Sequence, residues 1–464
     1  MKDTDATYKL SIKFTDFYKK DAGGFHYPFG RVHVPPVAEK HGLNTWFIKK
    51  ALYPETPVED YCRSFYPQTS LFEKNKISNN EDGSFGGFNL KTDSSFHFDA
   101  TKFACWLRDN FCIPRGVNYV RGTVKKVNTD SNGVSGLVLD DGTVLTADLY
   151  VDCTGFKSLL LGDALKEPFI SYEKTLPNNR AWATQVPYID KEKELEPYTN
   201  CTAIDNGWVW NIPSWSRIGT GYVYSDKFIS KEDALDQFKQ HLKTRMTVKD
   251  AERIDDQLKF KDIQIKTGIH ERIWVKNVIA IGLSAGFIEP LESNGLHTVH
   301  EFLIFLTRFL HKDHVSRFDQ DMYNRMATGT FDNFAQFVSM HYALSNRSDT
   351  DYWRDISRKC FDENVYKRIP VVSLGGFSEF ADRHMNTREH NPTHGIHCIS
   401  TGLNYFPIDI HMIRHQELHD GEGFYESMIQ ECDKVWDYLK YQTSMSANEC
   451  PSHYEYLKNT IYSE

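Results

Sequence analysis

Apolar and polar residues alternate across Tyr8–Phe14 (YKLSIKF), and a period of two predicts a strand there. Residues 20–95 hold Gly, Pro, Asn, Ser and scattered aromatics without a sustained period, which predicts long irregular loops. Helical spacing begins in DATKFACWLRDNF, residues 99–111, with Asp99 placed to cap it. A meander follows. VNYVRGTVKKVNTD predicts a strand pair, SNGV a turn, and SGLVLDDGTVLTADLYVDCTG two strands around Asp141-Gly142. Its last run, LYVDCTGF, is apolar and reaches Gly155. Alternation returns in residues 201–224, with WVWNIP at the centre. Residues 278–283, VIAIGL, form a short apolar run of the fully buried type, leading through a turn into a helix of about fifteen residues from near Gly295. There Leu296, Val299, Leu303, Leu306 and Leu310 keep helical spacing. From about 315 onward the pattern is mainly helical, with an irregular stretch around 370–407.

Composition narrows the class. With 464 residues, 40% hydrophobic and 25% charged, the chain has material for two or three ordinary globular domains. A net charge of -9 and no sustained Lys/Arg run argue against nucleic acid as a main partner. Nine cysteines, an odd number without any CxxC pair, favour reduced thiols over a disulfide framework or zinc site. The N-terminal MKDTDATYKL has no apolar signal core, and no apolar run approaches the ~18 residues of a membrane span. The expectation is a cytoplasmic protein away from the membrane.

Chemistry concentrates in VIAIGLSAGFIEPLESNGLHTVHEFL, residues 278–303. Small residues Gly282, Ala285 and Gly286 let the backbone approach a flat ligand. Ser293, Asn294 and Gly295 stand at a helix N-terminus, where free N–H groups and the dipole favour an anion, and Glu292 sits beside them. The plainer reading is a Pro290 turn, a Ser293 cap and Glu292 favouring the dipole. Residues alone leave both open. Trp208 and Trp210 alternate on one strand face and read as plain core, and Phe29 reads as a loop anchor. His384, His390, His394 and His397 cluster in sequence, and His411, His415 and His419 share helical spacing. No Cys or carboxylate pattern completes a metal site around them, so none is expected.

GFIEPLESNGL closely resembles the most distinctive motif of the flavin-dependent halogenases of the tryptophan-halogenase family. DATYKLSIKF resembles the segment with that family's catalytic lysine, which falls on Lys9, and GWVWNIP resembles its WxWxIP signature at Trp208, Trp210, Ile212 and Pro213. ADLYVDCTGFKSLLLGDALKEPF, AWATQVPY and IGTGYVYS also read as family sequence, and the likeness weakens after about residue 340. The meander followed by an apolar strand and Thr-Gly likewise recurs in flavoprotein two-domain folds.

The resemblance implies an α/β, FAD-dependent monooxygenase-like fold of two lobes. Residues 1–310 would carry the catalytic lysine and halide site, and residues 311–464 a mainly helical substrate region. It implies that reduced FAD, supplied by a separate flavin reductase, reacts with O2 and chloride, bromide or iodide to give hypohalous acid. Lys9 would hold that oxidant, hydrogen-bonded or as a haloamine, and Glu292 would polarise it or remove the ring proton. Asn294, Gly295 and Ser293 would bind halide, although the family often has Thr where Asn294 stands. Val124, Gly282, Leu283 and Leu296 would contact the cofactor. Trp208 and Trp210 would bar substrate from the flavin, and Phe29 would stack on it. Lys13, with the same strand parity as Lys9, is the rival lysine. The family's N-terminal strand and GxGxxG turn are missing from the given sequence: eight residues precede Lys9. Either the true start lies upstream, as strands such as LYVDCTGF and VIAIGL built for a full sheet favour, or strong flavin binding is lost and the protein works differently or not at all. REHNPTHGI, before HCISTGLN at 397–404, lacks the Tyr-Tyr and Phe-Trp pairs of the tryptophan enzymes. A smaller or more varied electron-rich aromatic substrate is expected in place of tryptophan. An FAD-dependent hydroxylase and a non-catalytic degenerate relative are the competing readings, and a homo-oligomer is left open.

Overall fold

A computed structural model describes residues 1–244, 258–312, 314–360, 393–406 and 408–463, apart from the side chains of 359–360 and 393–394. His384 and His390, and the 370–392 part of the expected irregular stretch, lie outside the described residues. The chain forms two compact units, each assembled from separate stretches: Met1–Asn110, Trp182–Asp262 and Met340–Glu464 in one, Phe111–Ala181 and Ile263–Ser339 in the other. The expected boundary at residue 310 falls inside the second unit. Pairing between strands distant in sequence, not order along the chain, sets the division.

The first unit is built on a seven-stranded sheet in the order Lys261–Gln264, Arg180–Val186, Ile218–Tyr224, Gly207–Pro213, Tyr198–Ile204, Ser11–Thr15, Gly24–Pro28. Tyr198–Ile204 runs parallel to Ser11–Thr15 and antiparallel to Gly207–Pro213, with Ala203 opposite Trp208. The strand expected over 8–14 is two strands. Thr7–Lys9 leaves the main sheet and pairs with Ser95–His97, setting Lys9 opposite Ser95. The break is at Leu10, whose N–H donates to the Pro197 carbonyl at 2.7 Å and whose carbonyl accepts the Phe29 N–H at 2.8 Å. Leu10 is wholly buried among Leu71, Phe72, Phe85, Phe88 and Tyr198, so the bend is fixed by packing.

Residues 20–95 are not one loop. They contain the Gly24–Pro28 strand and the helices Asn44–Leu52, Glu59–Phe65 and Thr69–Phe72. Short helices rich in aromatics leave no long amphipathic period, and they are stabilised from afar. Trp46, Phe47, Tyr61 and Phe65 share a core with Ile429, Cys432 and Trp436 of the helix Phe424–Glu449. A polar cluster pins the same contact: Asp60 accepts from Lys440 Nζ at 2.6 Å, Lys49 Nζ at 3.2 Å and Trp46 Nε1 at 3.0 Å. Asp99 caps the helix Ala100–Trp106 as expected, accepting from the Thr101 and Lys102 N–H groups. Thr393–Gly402, expected to be irregular, is helical.

In the second unit, Val124–Asp130, Gly133–Leu139 and Val144–Leu145 form the meander. The segment 117–130 supplies one strand, not the expected pair, and Gly142 turns the next corner at φ 86°. Tyr150–Asp152 runs parallel to Val278–Ala280, which is fully buried as its run of apolar residues predicts. Tyr150–Asp152 is the sheet's edge among the described residues, and Val151 remains 46% exposed. No described helix is long and apolar enough to cross a membrane. The cysteines whose side chains are described are all free thiols.

Burial alone would raise the Asp60 carboxyl, but Lys440 and Lys49 outweigh burial and hold it below the ordinary carboxylate value. Asp60→Ala should therefore cost about 3 kcal/mol, because two partly desolvated ammonium groups lose their shared carboxylate. Urea unfolding at neutral pH reads the loss, and an unchanged midpoint would contradict it. In the wild type the same contribution holds above the ordinary carboxylate range and fades as pH falls through the lowered folded value.

Candidate active site

Lys9 ends its three-residue strand almost wholly out of water, at 4% exposure. Its ammonium lies 5.3 Å from the centroid of the Phe29 ring, within cation–π range. The ring is held from several sides. The Phe29 N–H donates to Leu10, Gln68 Nε2 donates to the Phe29 carbonyl, and Tyr27 meets the ring edge-on at 6.1 Å. Two residues singled out from sequence are thus brought together by the bend at Leu10. Lys13 goes elsewhere. Its ammonium is 5.7 Å from the Tyr198 ring, and it lines a cavity of about 550 Å³ whose walls include neither Lys9 nor Phe29.

Trp208 and Trp210 alternate on Gly207–Pro213 with ring centroids 6.2 Å apart. Trp208 is completely buried, while Trp210 is half-buried. Gly221 stands opposite Trp210, and a Cβ there would come within 2.2 Å of the indole. The second glycine of IGTGYVYS is therefore what lets the Trp210 ring lie flat on the neighbouring strand. The end of this Trp strand is tied to the lysine strand, since Thr7 Oγ1 donates to the Pro213 carbonyl at 2.6 Å.

Sequence reasoning missed two buried histidines beside Lys9. His97 is paired opposite Thr7, with Nδ1 3.4 Å from Thr7 Oγ1 and Nε2 2.9 Å from Thr199 Oγ1. Burial first, then the nearby charge of Lys9, pushes its pKa well below the usual imidazole value. His453 accepts the Tyr8 N–H at 3.3 Å. The only sequence signal for His97 is a polar residue within the aromatic run SFHF, and for His453 there is none.

In the second unit the motif around Glu292 forms a compact turn. Pro290–Glu292 is a single 3-10 turn, Ser293 takes a left-handed φ of 55°, and Asn294 precedes the helix Gly295–Leu310. Ser293 is therefore not the cap that the plainer reading required. Asn294 occupies the cap position without a side-chain cap bond; its Nδ2 is buried and has no hydrogen-bond partner among the described residues. Space is open where a Gly295 side chain would project. A buried amide donor, an open approach and a helix N-terminus suit a small anion. One Glu292 carboxylate oxygen is also shut off from solvent.

Gly282, at φ 74°, begins a tight turn directly after the buried strand and faces Val299 of the helix. Leu283 and Leu296 present exposed apolar side chains, at 43% and 50%. A glycine turn flanked by such side chains suits a flat apolar ring system. Val124 lies in a different sheet, opposite Leu139. The helix buries Thr298, Phe302, Phe305 and Leu306; of the positions with helical spacing, Leu306 is buried while Leu296, Leu303 and Leu310 are exposed. It is apolar around most of its circumference, so spacing alone does not choose the face. A further residue missed from sequence is Glu289, fully buried and accepting from Asn178 Nδ2 at 2.7 Å.

Of the C-terminal histidines, His397 contacts Asn44 Oδ1 at 3.2 Å, and His415 stacks on His419 at 6.4 Å. Among the described residues no group of His, Cys, Asp or Glu could hold a metal ion.

An α/β fold with a buried lysine beside an aromatic ring, and a helix N-terminus suited to an anion, fits a flavin-dependent oxidative enzyme. The family model for tryptophan halogenase matches residues 1–414. A tryptophan 6-halogenase from Streptomyces albogriseolus is 31% identical over 389 residues, spanning 81% of this chain and 70% of its own length. A tryptophan 7-halogenase from Lentzea aerocolonigenes is 31% identical with the same coverage of both chains. Among solved structures, apo VirX1 superposes with a TM-score of 0.86 at 34% identity, covering 100% of this chain and 88% of that one. The tryptophan 6-halogenase of Streptomyces toxytricini gives a TM-score of 0.81 at 27% identity, covering 98% of this chain and 86% of its own. The chain belongs to the tryptophan halogenase family. It is an FADH2-dependent halogenase acting on an aromatic substrate.

The Gly221 contact yields a direct test. Gly221→Ala should force the Trp210 ring off its neighbour and cost about 1–3 kcal/mol by overpacking. Thermal melting and tryptophan emission check it, and an unshifted Tm with unaltered emission would contradict the contact.

Proposed function

We propose that Lys9 holds hypohalous acid against the aromatic substrate and that Glu292 accepts the proton the ring releases. The observation that carries this reading is the burial of Lys9 with its ammonium 5.3 Å from Phe29. Reduced FAD, when bound, would supply the two electrons and two protons that, with one further proton, convert O2 and halide into hypohalous acid and water. Gly282, Leu283 and Leu296 would cradle the flavin, with Val124 contributing from its own sheet. Asn294, Gly295 and Ser293 would hold the halide, the buried Asn294 amide being the donor best placed for an anion.

The Lys9 ammonium donates a hydrogen bond to the oxidant's oxygen, leaving the halogen the electrophilic end. When the ring takes the halogen, the departing hydroxide takes a proton from Lys9 and leaves as water. The ring carbon regains aromaticity by losing its proton to the Glu292 carboxylate. Phe29 stacks on the substrate and fixes which carbon faces Lys9. Trp208 and Trp210 wall the route taken by the oxidant, keeping the ring from the flavin. A separate flavin reductase supplies FADH2.

The substrate proposed is an electron-rich phenol, indole or related ring, not free tryptophan, because REHNPTHGI lacks the aromatic pairs of the tryptophan enzymes. A screen of such rings plus tryptophan, with chloride, bromide and iodide and a flavin reductase, decides it by mass spectrometry. Tryptophan as the best-turned-over ring would refute the substrate reading. Lys9→Ala and Glu292→Ala should each abolish ring halogenation while flavin oxidation coupled to the reductase continues. Full halogenation by Lys9→Ala protein would refute the assignment of the lysine. Asn294→Ala should raise the halide KM with little change in the rate of flavin oxidation, and an unchanged KM would remove Asn294 from the halide site.

A further inference from the structure

The strand that carries Lys9 is only three residues long and pairs with one other strand of three residues. So short a ladder has few backbone hydrogen bonds with which to fix a side chain to a fraction of an ångström. The extra restraint comes from the far end of the chain. His453 opens the helix His453–Thr460, is completely buried, and has its Nδ1 3.0 Å from the Leu195 carbonyl and its Nε2 3.3 Å from the Tyr8 backbone nitrogen. A carbonyl only accepts and a backbone N–H only donates, so the ring carries its proton on Nδ1 and offers a bare Nε2 to Tyr8. The neutral tautomer is the one that makes both bonds, and burial keeps this imidazole neutral down to about pH 4.

The same segment grips the strand twice more. The Tyr456 ring meets the Tyr8 ring edge-on, with centroids 6.0 Å apart. Tyr462 Oη donates to the Ala6 carbonyl at 2.8 Å. Tyr462 is itself fixed by stacking on Trp215, with centroids 4.2 Å apart and planes 4° from parallel, and Tyr454 stacks on the same indole at 5.7 Å. The helix start is set by a complete capping box between Ser452 and Glu455. Ala6 and Tyr8 are thus both tied to residues 453–462, immediately before the lysine. All of those residues lie beyond residue 414, where the match to the family ends.

We propose that the C-terminal helix is a positioning element for Lys9, with His453 as its principal positioning residue and Tyr462 as its second. The proposal rests on the reading of Lys9 as the residue that holds the oxidant. Its function is to keep the ammonium at the point where oxidant meets the ring, so that hypohalous acid is captured by substrate and does not escape. A misplaced lysine loses capture first, since flavin oxidation takes place without it.

The test is a partition measurement on the full chain. The ring most brominated in the screen above is supplied with bromide, O2 and a flavin reductase. Brominated ring and escaped hypobromous acid, trapped by a β-diketone scavenger, are counted per FADH2 oxidised. His453→Leu keeps the apolar bulk but neither hydrogen bond, and should lower the ratio of brominated ring to escaped oxidant by about fivefold, the effect of losing the one bond that reaches the lysine strand. Flavin oxidation should be unchanged. His453→Gln returns an acceptor toward Tyr8 and should recover much of the ratio. Tyr462→Phe keeps the stack on Trp215, loses the bond to Ala6, and should shift the ratio in the same direction, which carries the test if His453→Leu does not fold. A wild-type ratio in folded His453→Leu and Tyr462→Phe overturns the proposal. Ring bromination that persists in Lys9→Ala overturns the lysine reading itself, and the two failures are told apart by which variant shows them.

Discussion

Keeping an ammonium group nearly out of water is the constraint on which the rest of this structure depends. Lys9 is 4% exposed, and an ion removed from water must be compensated by oriented groups around it. The chain meets this by bending at Leu10. Without the bend, Lys9 would continue the main sheet with Ser11–Thr15. With it, Thr7–Lys9 pairs with Ser95–His97, and the ammonium comes to the face of Phe29, whose own N–H is bonded to the residue at the bend. One change of direction places the cation and the ring that borders it.

Two of the polar groups beside that strand carry no charge. His97 and His453 are buried, and both are held neutral by burial, with the charge of Lys9 adding to the effect at His97. A second cation beside the lysine would repel it, and a neutral imidazole avoids that while supplying one donor and one acceptor. In the second unit the polarity is reversed. A helix N-terminus and the buried Asn294 amide present donors, and Glu292 stands beside them as the acidic group. In the function proposed, the second place would hold the halide and the first the oxidant formed from it.

Much of the chemistry was legible because it depends on local order. GFIEPLESNGL is a strand, a turn and a helix start, and consecutive residues set that geometry. Lys9, Phe29 and the Trp pair were singled out as candidates from short motifs in the same way. The fold was less legible wherever long-range packing overrode local pattern. The helices between 44 and 72 are short and aromatic, and they gain a core from Trp436 and Ile429, hundreds of residues later. The alternation in YKLSIKF correctly gave extended backbone but could not show that the strand changes sheets at Leu10. Leu296 and Leu303 kept helical spacing, yet the helix buries its Phe302 and Phe305 face.

By itself the sequence determined the class of chemistry, the short list of candidate residues that includes Lys9, Lys13 and Glu292, and the anion-favouring helix start. Each follows from residue type and short-range spacing. Tertiary structure alone decided which lysine is buried beside an aromatic ring, why Gly221 must be glycine, and what holds the lysine strand in place. The bond from Tyr8 to His453 joins residues 445 apart in sequence. No period or motif reports such a contact, because it exists only once the two ends of the chain have packed against each other.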